Sequence, residues 1–413
     1  MQGKHPSRRK YMIKERLWTK DFIIVYLINF LLTLVFFSLI VTIAPYAVEK
    51  FDASTSVAGL VSSIFIIGVL IGRLVTGRKI QDAGSKKILF TGLILFIITT
   101  ALYFVAIHLP ILLLNRFLHG FALGVASTAT GTIIAQIIPK NRRGEGIGYY
   151  SLSVILASAI GPLVGIQLTQ NGDYSIVFIF NLILSILCLL ISFTLKIPVF
   201  QSKKENLEKA DHGFKISNFL EPMAIPISIV ALVIGFCYSS VMSFLTFYTK
   251  EIQLVEAGSF FFLVYAIIII ISRPFTGRLM DLKGANIVVY PCLIIFSAGM
   301  VLFSQAHSGF VLLLAGALIG IGYGNFNSIA QATAIKVTAS HRLGLATSTY
   351  FILFDLGLGA GPYLLGLLVP IIGYRGLFLA IAFVALLSIV LYYYLYGRKE
   401  REIYQSNADR TAL

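Results

Sequence analysis

The feature that most constrains the fold is a series of apolar runs, each close to the length of one membrane span. They cover residues 21–46, 55–76, 87–107, 109–137, 147–168, 174–196, 219–248, 255–275, 286–305, 309–335, 343–369 and 373–397. A helix needs about 20 predominantly apolar residues to cross the hydrocarbon core of a bilayer. The sequence therefore predicts an all-α polytopic membrane protein with about twelve transmembrane helices.

The composition excludes several classes of protein. Of the 413 residues, 57% are hydrophobic and 12% are charged, whereas soluble domains carry about 25% charged residues. The sequence contains no G-x-x-x-x-G-K-[ST] phosphate loop, and its spans show no metal-ligand cluster or nucleophile motif. We therefore predict no enzyme activity, no cofactor and no metal site.

The net charge of +15 is compatible with binding either nucleic acid or a membrane surface. Its distribution favours the membrane, because only Lys50, Lys250 and Arg375 fall in the loops of one side. An excess of Lys and Arg marks cytoplasmic loops. We predict a multi-pass protein of the plasma membrane with both termini in the cytoplasm, in contact with the bilayer and not with nucleic acid.

The chain repeats itself at an offset of 200 residues. GRLVTGRKIQDAGSKK at 72–87 matches SRPFTGRLMDLKGANI at 272–287, and the Gly-Pro pair at 161–162 recurs at 361–362. The predicted organisation is a basic cytoplasmic tail (1–20), a six-helix half (21–196), a cytoplasmic linker (197–218), a second six-helix half (219–397) and a tail (398–413). Duplicated halves allow alternating access to a site between them, so a monomer suffices.

The repeated loop carries a family resemblance. GRKIQDAGSKK, from Gly77, resembles the signature loop of the major facilitator superfamily, approximately G-x-x-x-D-x-x-G-R-K. The second copy, from Gly277, keeps the Gly-Asp spacing, whereas the first has Gln81 at the acidic position and Asp82 one residue later. The resemblance implies that both loops lock the cytoplasmic side. The gate residues are then Gly77, Arg78, Asp82, Gly84, Gly277, Arg278, Asp281 and Gly284.

The fifth span resembles a motif of the exporting branches of this superfamily, with Ala157 and Ile166 in place of two glycines. Proline removes a helix hydrogen bond and kinks the span, and small residues allow close helix contact. The eleventh span repeats the Gly-Pro pair. The predicted helix-bend residues are Gly161, Pro162, Gly165, Gly361 and Pro362.

Three intramembrane residues are candidates for proton coupling. Arg116 and His119 lie in a fourth-span segment that resembles the family's R-x-x-Q-G motif, whose arginine is implicated in proton transfer in antiporters. Arg116 alternatively snorkels to the interface, and His119 alternatively acts as a neutral hydrogen-bond donor. Asp355 is the acid placed deepest in any span; it is a coupling candidate or a structural acid, and a nearby cation such as Arg116 would favour its charged form.

Other polar residues within the spans are candidates to line a substrate cavity, although each could instead bridge helices. They are Tyr26, Asn29, Tyr238, Ser239, Asn325, Asn327 and Gln331.

The resemblance extends from about residue 20 to 398 and is greatest to the twelve-span drug:proton antiporters. It implies a proton-coupled exporter of a small organic molecule. The alternatives are a dedicated exporter of one metabolite (an opine-type metal chelator, an amino-acid derivative or a sugar), an importer of the same fold, and a membrane sensor or scaffold.

Overall fold

A computed structural model describes residues 16–53, 55–169, 173–196 and 219–400 of the chain. Within these ranges 12 helices are long and apolar enough to cross a membrane, which confirms the predicted fold class. They are α1 Lys20–Phe51, α2 Thr55–Ala83, α3 Ser85–Ala101, α4 Leu109–Ile137, α5 Arg143–Thr169, α6 Tyr174–Ser192, α7 Ile225–Glu251, α8 Val255–Lys283, α9 Asn286–Ser304, α10 Gly309–Lys336, α11 Leu343–Gly366 and α12 Val369–Tyr392.

Short polar residues set several of the helix starts. The backbone N–H groups of a first helical turn have no partner within the helix, so a preceding Ser, Thr or Asp side chain stabilises them. Thr19 accepts a hydrogen bond from the Phe22 amide at 3.2 Å, and Asp173 accepts one from the Ser175 amide at 2.8 Å. These caps fix where α1 and α6 begin.

The helices pack mainly within two sets of six. In the first set α1 packs against α5 and α6, and α2 and α3 pack against α4; in the second set α7 packs against α11 and α12, and α9 against α12. The two sets meet chiefly where α5 contacts α8 and where α2 contacts α11. The predicted linker, residues 1–15 and residues 401–413 lie outside the described residues, so the domain boundaries remain a prediction.

Glycine allows α2 and α4 to pack with their backbones in direct contact. A Cβ atom on Gly120 would collide with the backbone oxygen of Phe65, and one on Gly124 with that of Val69. Such contact needs small residues, because a membrane offers no hydrophobic driving force between helices and association depends on close packing.

We expect Gly124→Ala to destabilise the fold by about 2 kcal/mol, because backbone atoms cannot move aside as a flexible side chain can. The matched control is Gly359→Ala, whose added methyl group would meet only the Ile66 side chain at 3.6 Å. Thermal unfolding of the detergent-solubilised protein tests the difference. Equal unfolding midpoints for the two variants would show that the close α2–α4 contact does not determine the stability of the fold.

The tenth span contains an irregularity that the sequence pattern does not predict. Residues Gly320–Gly324 form a π-helical turn between two α-helical segments. A Cβ atom on Gly322 would lie 2.5 Å from the Phe296 amide nitrogen, so α9 approaches α10 closely at this point. Single π turns occur frequently at functional sites, and this one carries Tyr323 into the interior.

The two Gly-Pro pairs lie inside continuous helices. Gly161 and Gly165 of α5 face Phe37 and Ser38 of α1, and Gly361 of α11 faces α7. The tight packing expected of these glycines is therefore present, whereas the bend at each proline remains a prediction.

Candidate functional site

The two repeated segments, predicted as loops, form the last turns of α2 and α8 and the glycine after each. They lie at the same end of the bundle, which we call the motif end (residues 77–84 and 277–284). In the second copy the Asp281 carboxylate bridges the two sets of helices. It accepts hydrogen bonds from the backbone amides of Gly144 at 2.7 Å and Glu145 at 2.9 Å, in the first turn of α5. A helix N-terminus favours a carboxylate through its free N–H groups and its dipole, so this contact ties α8 to α5.

The first copy makes a different contact. Gly77 packs against Ser348 of α11, whose hydroxyl donates a hydrogen bond to the backbone oxygen of Arg73 at 2.7 Å. Asp82 is exposed, and no described residue forms a hydrogen bond or ion pair with it. The two copies therefore differ, and Asp82 does not reproduce the contact of Asp281.

The other predicted gate residues of the motif end form no hydrogen bond between the two sets of helices within the described structure. Gly84 and Gly284 have φ values of 84° and 88°, a left-handed region that glycine adopts without strain. The Arg78 guanidinium lies 5.0 Å from the ring centre of Phe219, whereas Arg278 is exposed.

An ion pair joins the two sets of helices deeper in the bundle. The Nε atom of Arg73 on α2 lies 2.8 Å from the Oδ2 atom of Asp355 on α11, and their side chains are 10% and 17% exposed. The Arg73 guanidinium also lies over the Phe351 ring, 4.4 Å from its centre. Asp355 therefore has a cation partner, but Arg73 takes the place expected for Arg116.

Arg116 is instead enclosed within the first set of helices and is 1% exposed. Its Nε donates to the backbone oxygen of Val61 at 3.1 Å, and Nη1 donates to the Tyr103 hydroxyl at 3.1 Å. The Phe65 ring covers the guanidinium at 4.4 Å. Arg116 does not snorkel, and its neighbours in the described structure are neutral.

His119 lies in the same enclosed cluster. Its Nδ1 is 3.0 Å from the Tyr103 hydroxyl and its Nε2 is 3.3 Å from the Thr100 hydroxyl. The ring packs against Phe96 with a centroid separation of 4.5 Å. This geometry fits the hydrogen-bonding alternative for His119 better than exchange of protons with a cavity.

Arg273 of α8 is the repeat partner of Arg73 and has a different environment. It is 2% exposed, and its Nε and Nη1 atoms have no hydrogen-bond partner among the described residues. Tyr265, Tyr323 and Tyr350 lie close to it. Gly148 of α5 covers it from the other set of helices, since a Cβ atom there would lie 3.7 Å from the Arg273 Cδ atom.

The tyrosines close to this arginine belong to a larger group of aromatic side chains. Tyr238 stacks on Tyr323 with ring centres 3.7 Å apart, and on Tyr265 at 5.7 Å. The Tyr350 hydroxyl donates to the backbone oxygen of Asn327 at 2.7 Å and also bonds to its side chain. The wall formed by α7, α8, α10 and α11 is therefore aromatic with a buried cation.

Two of the residues predicted to line a cavity form hydrogen bonds between helices. Asn29 bonds to Ser153 at 2.8 Å and accepts from Thr130 at 3.3 Å, so it bridges α1, α5 and α4. Asn325 similarly bonds to Ser272 and Thr276 of α8. These two side chains serve helix packing.

The other cavity candidates have fewer fixed partners. Ser239 bonds to the backbone of its own helix, at Phe236. Tyr26 is half-buried, and Gln331 is 4% exposed with an amide nitrogen that lacks a partner in the described structure. Together with Tyr238 and Asn327, Tyr26 and Gln331 remain candidates.

Sequence reasoning missed Arg73 and Arg273 as site residues. The signal was present, because both are charges within apolar segments and they coincide at the repeat offset. An intramembrane charge is costly and marks a functional position by default.

Comparison with known proteins decides the family. The family model described as Major Facilitator Superfamily matches residues 25–357, and again residues 257–411. The chain belongs to the Major Facilitator Superfamily. Members of this superfamily are transporters and not enzymes, which confirms the prediction for this chain.

Three curated relatives in the superfamily span most of the chain. An MFS-type transporter of Methanocaldococcus jannaschii is 27% identical over 87% of this chain and 92% of its own length. Multidrug resistance protein MdtG of Escherichia fergusonii is 24% identical over 90% of this chain and 93% of its own length. The staphylopine export protein of Staphylococcus aureus is 21% identical over 88% of this chain and 94% of its own length.

A solved structure shares the superfamily fold. The human organic anion transporter MFSD10 (TETRAN) aligns with a TM-score of 0.76, at 17% identity, over 90% of this chain and 99% of that protein. At this identity the likeness concerns the fold alone.

Proposed function

We propose that this transporter is a proton-coupled exporter of a small organic molecule and that Asp355 carries the coupling proton. The observation that carries the proposal is the Arg73–Asp355 ion pair between α2 and α11. An acid that joins the two sets of helices is able to link its protonation to their separation. Relatives named for multidrug resistance and staphylopine export support the outward direction.

The mechanism follows from what protonation does to the pair. The charged carboxylate attracts Arg73 and holds α2 against α11. A proton on Asp355 removes that attraction and leaves at most a weaker hydrogen bond from the charged guanidinium to a neutral carboxyl group. The motif end then opens and the opposite end closes, as one set of helices rocks against the other.

The direction of proton flow requires a membrane orientation. We place the motif end in the cytoplasm because Lys and Arg concentrate there. Asp355 is then protonated from outside while the motif end is closed, and it loses the proton to the cytoplasm once that end opens. Substrate binds while the motif end is open. Re-formation of the ion pair closes that end, and the substrate is released on the outside.

The membrane potential provides sufficient energy for export. Moving one charge through 100 mV releases about 2.3 kcal/mol. This corresponds to roughly a fortyfold concentration gradient of substrate per proton.

Proton flux in energised inverted membrane vesicles tests the proposal. Candidate solutes are added one at a time to vesicles that contain the wild type, Asp355→Asn or Glu256→Gln. We expect a substrate to release protons from acidified vesicles with the wild type and Glu256→Gln, whose exposed carboxylate lies in the first turn of α8, but not with Asp355→Asn. Equal release by all three proteins would rule out Asp355 as the coupling acid.

An exporter dedicated to one metabolite is the second candidate. Buried polar atoms without partners at Arg273 and Gln331 favour it, because fixed polar groups reject solutes that cannot pair with them. A multidrug transporter would need fewer such groups.

A further inference from the structure

We propose that Arg273 is the recognition site for a carboxylate group on the transported molecule. The inference deepens the proposed function by naming the substrate class, and it rests on that function for the presence of an organic substrate. It starts from a buried guanidinium group for which the described structure provides no anion and no hydrogen-bond acceptor.

A buried arginine without a partner is energetically unfavourable. Removing a full charge from water costs several kcal/mol unless a counter-charge or hydrogen bonds replace the lost hydration. Arg116 and Arg143 are also buried, but each donates to at least one oxygen of the described chain. The tyrosines close to Arg273 are neutral and do not provide a counter-charge.

The internal repeat shows what is missing around Arg273. α2 and α11 correspond to α8 and α5 at the offset of 200 residues, and both pairs of helices form contacts between the two sets. Arg73 of α2 has two partners on α11, the Phe351 ring and the Asp355 carboxylate. The residues at the matching positions of α5 are Ser151 and Ile155, so the second copy keeps the arginine but lacks its acid.

The surroundings of Arg273 suit an organic carboxylate. Guanidinium binds carboxylate through charge-assisted hydrogen bonds, and the Nε and Nη1 atoms of Arg273 have no hydrogen-bond partner among the described residues. Tyr265 and Tyr323 lie close to the guanidinium and stack with Tyr238, so aromatic side chains border the charge. An aromatic or otherwise amphipathic acid would place its ring against these side chains and its carboxylate on Arg273.

Access to the site is coupled to the conformational cycle. In this structure Gly148 of α5 covers Arg273 and Asp281 holds α5 in place. Separation of α5 from α8 at the motif end uncovers the guanidinium, so the carboxylate binds from the side on which substrate is collected.

Ligand binding to the purified full-length protein in lipid nanodiscs tests the inference. The probes are 1-naphthoate and 1-naphthamide, which share a ring system and differ in charge, and isothermal titration calorimetry measures their affinities. The variants are Arg273→Gln, Ile155→Asp and the control Lys399→Gln, which removes an exposed positive charge. Ile155→Asp keeps the arginine and supplies the acid that the repeat predicts, so it tests the site even if Arg273→Gln fails to fold.

We expect the wild type and Lys399→Gln to bind naphthoate about tenfold or more tightly than naphthamide. Ile155→Asp and Arg273→Gln should lose that preference, while their affinity for naphthamide is unchanged. Equal binding of the two probes by the wild type, no binding of naphthoate, or retention of the preference in Ile155→Asp would overturn the proposal.

A chloride titration separates the organic carboxylate from an inorganic anion. If chloride displaces naphthoate at equal concentration, Arg273 is a general anion site and the substrate class is not defined by it, which also overturns the proposal. Binding is measured without a pH gradient. Failure here therefore leaves proton-coupled export intact, and failure of the vesicle experiment leaves the carboxylate site intact.

Discussion

Replacing Asp281 by asparagine is expected to open the motif end of the protein. The carboxylate accepts the amides of Gly144 and Glu145 with separate oxygens, whereas an asparagine side chain has one acceptor oxygen and no charge. The loss of one charge-assisted hydrogen bond and of the attraction to the α5 N-terminus costs about 3 kcal/mol. That change shifts the balance between closed and open states roughly a hundredfold towards open.

Distances between spin labels at positions 140 and 283 measure this change, because both positions are exposed and lie on opposite sides of the α5–α8 contact. The distance distribution should lengthen in Asp281→Asn. Asp82→Asn is the matched control, since it makes the same chemical change in the first copy, where the carboxylate has no described partner. Lengthening in both variants, or in neither, would contradict the role assigned to Asp281.

Removing either partner of the Arg73–Asp355 pair should destabilise the protein by about 3–5 kcal/mol. Each single substitution leaves one charge buried and uncompensated. Replacement of both residues by leucine leaves no charge behind, so the double variant should be more stable than either single variant. The free energies of unfolding of the wild type, Arg73→Leu, Asp355→Leu and the double variant form a cycle that isolates the interaction.

The expected interaction energy in this cycle is several kcal/mol. If the effects of the two single substitutions simply add, the ion pair contributes nothing to the folded state. Asp355 would then be a solvated acid, and the mechanism would need another contact between α2 and α11.

Much of the fold could be predicted from the sequence because each span is defined by the hydropathy of its own residues. Hydropathy defines a span over about 20 residues without reference to its neighbours, and the positions of the 12 helices follow the apolar runs closely. The π turn at Gly320–Gly324 could not be predicted, since it depends on the close approach of Phe296 from α9.

The pairing of charges was harder to predict than their existence. Arg116 and Asp355 are both predicted as intramembrane charges, but Arg116 donates a hydrogen bond to Tyr103 and Arg73 forms the ion pair with Asp355. Which side of a helix faces its neighbour depends on packing, and these spans are apolar around most of their circumference. For the same reason the sequence left open whether Asn29 and Asn325 line a cavity or bridge helices, and both form hydrogen bonds between helices.

The two contacts between the sets of helices differ in their dependence on Asp355. α5 is held to α8 by a carboxylate bound to backbone amides, while α2 is held to α11 by an ion pair with an acid that the mechanism protonates. Protonation of Asp355 therefore weakens the α2–α11 contact and leaves the α5–α8 contact intact. We expect α2 and α11 to separate first at the motif end. The entrance then forms as a lateral cleft before it widens into a central opening.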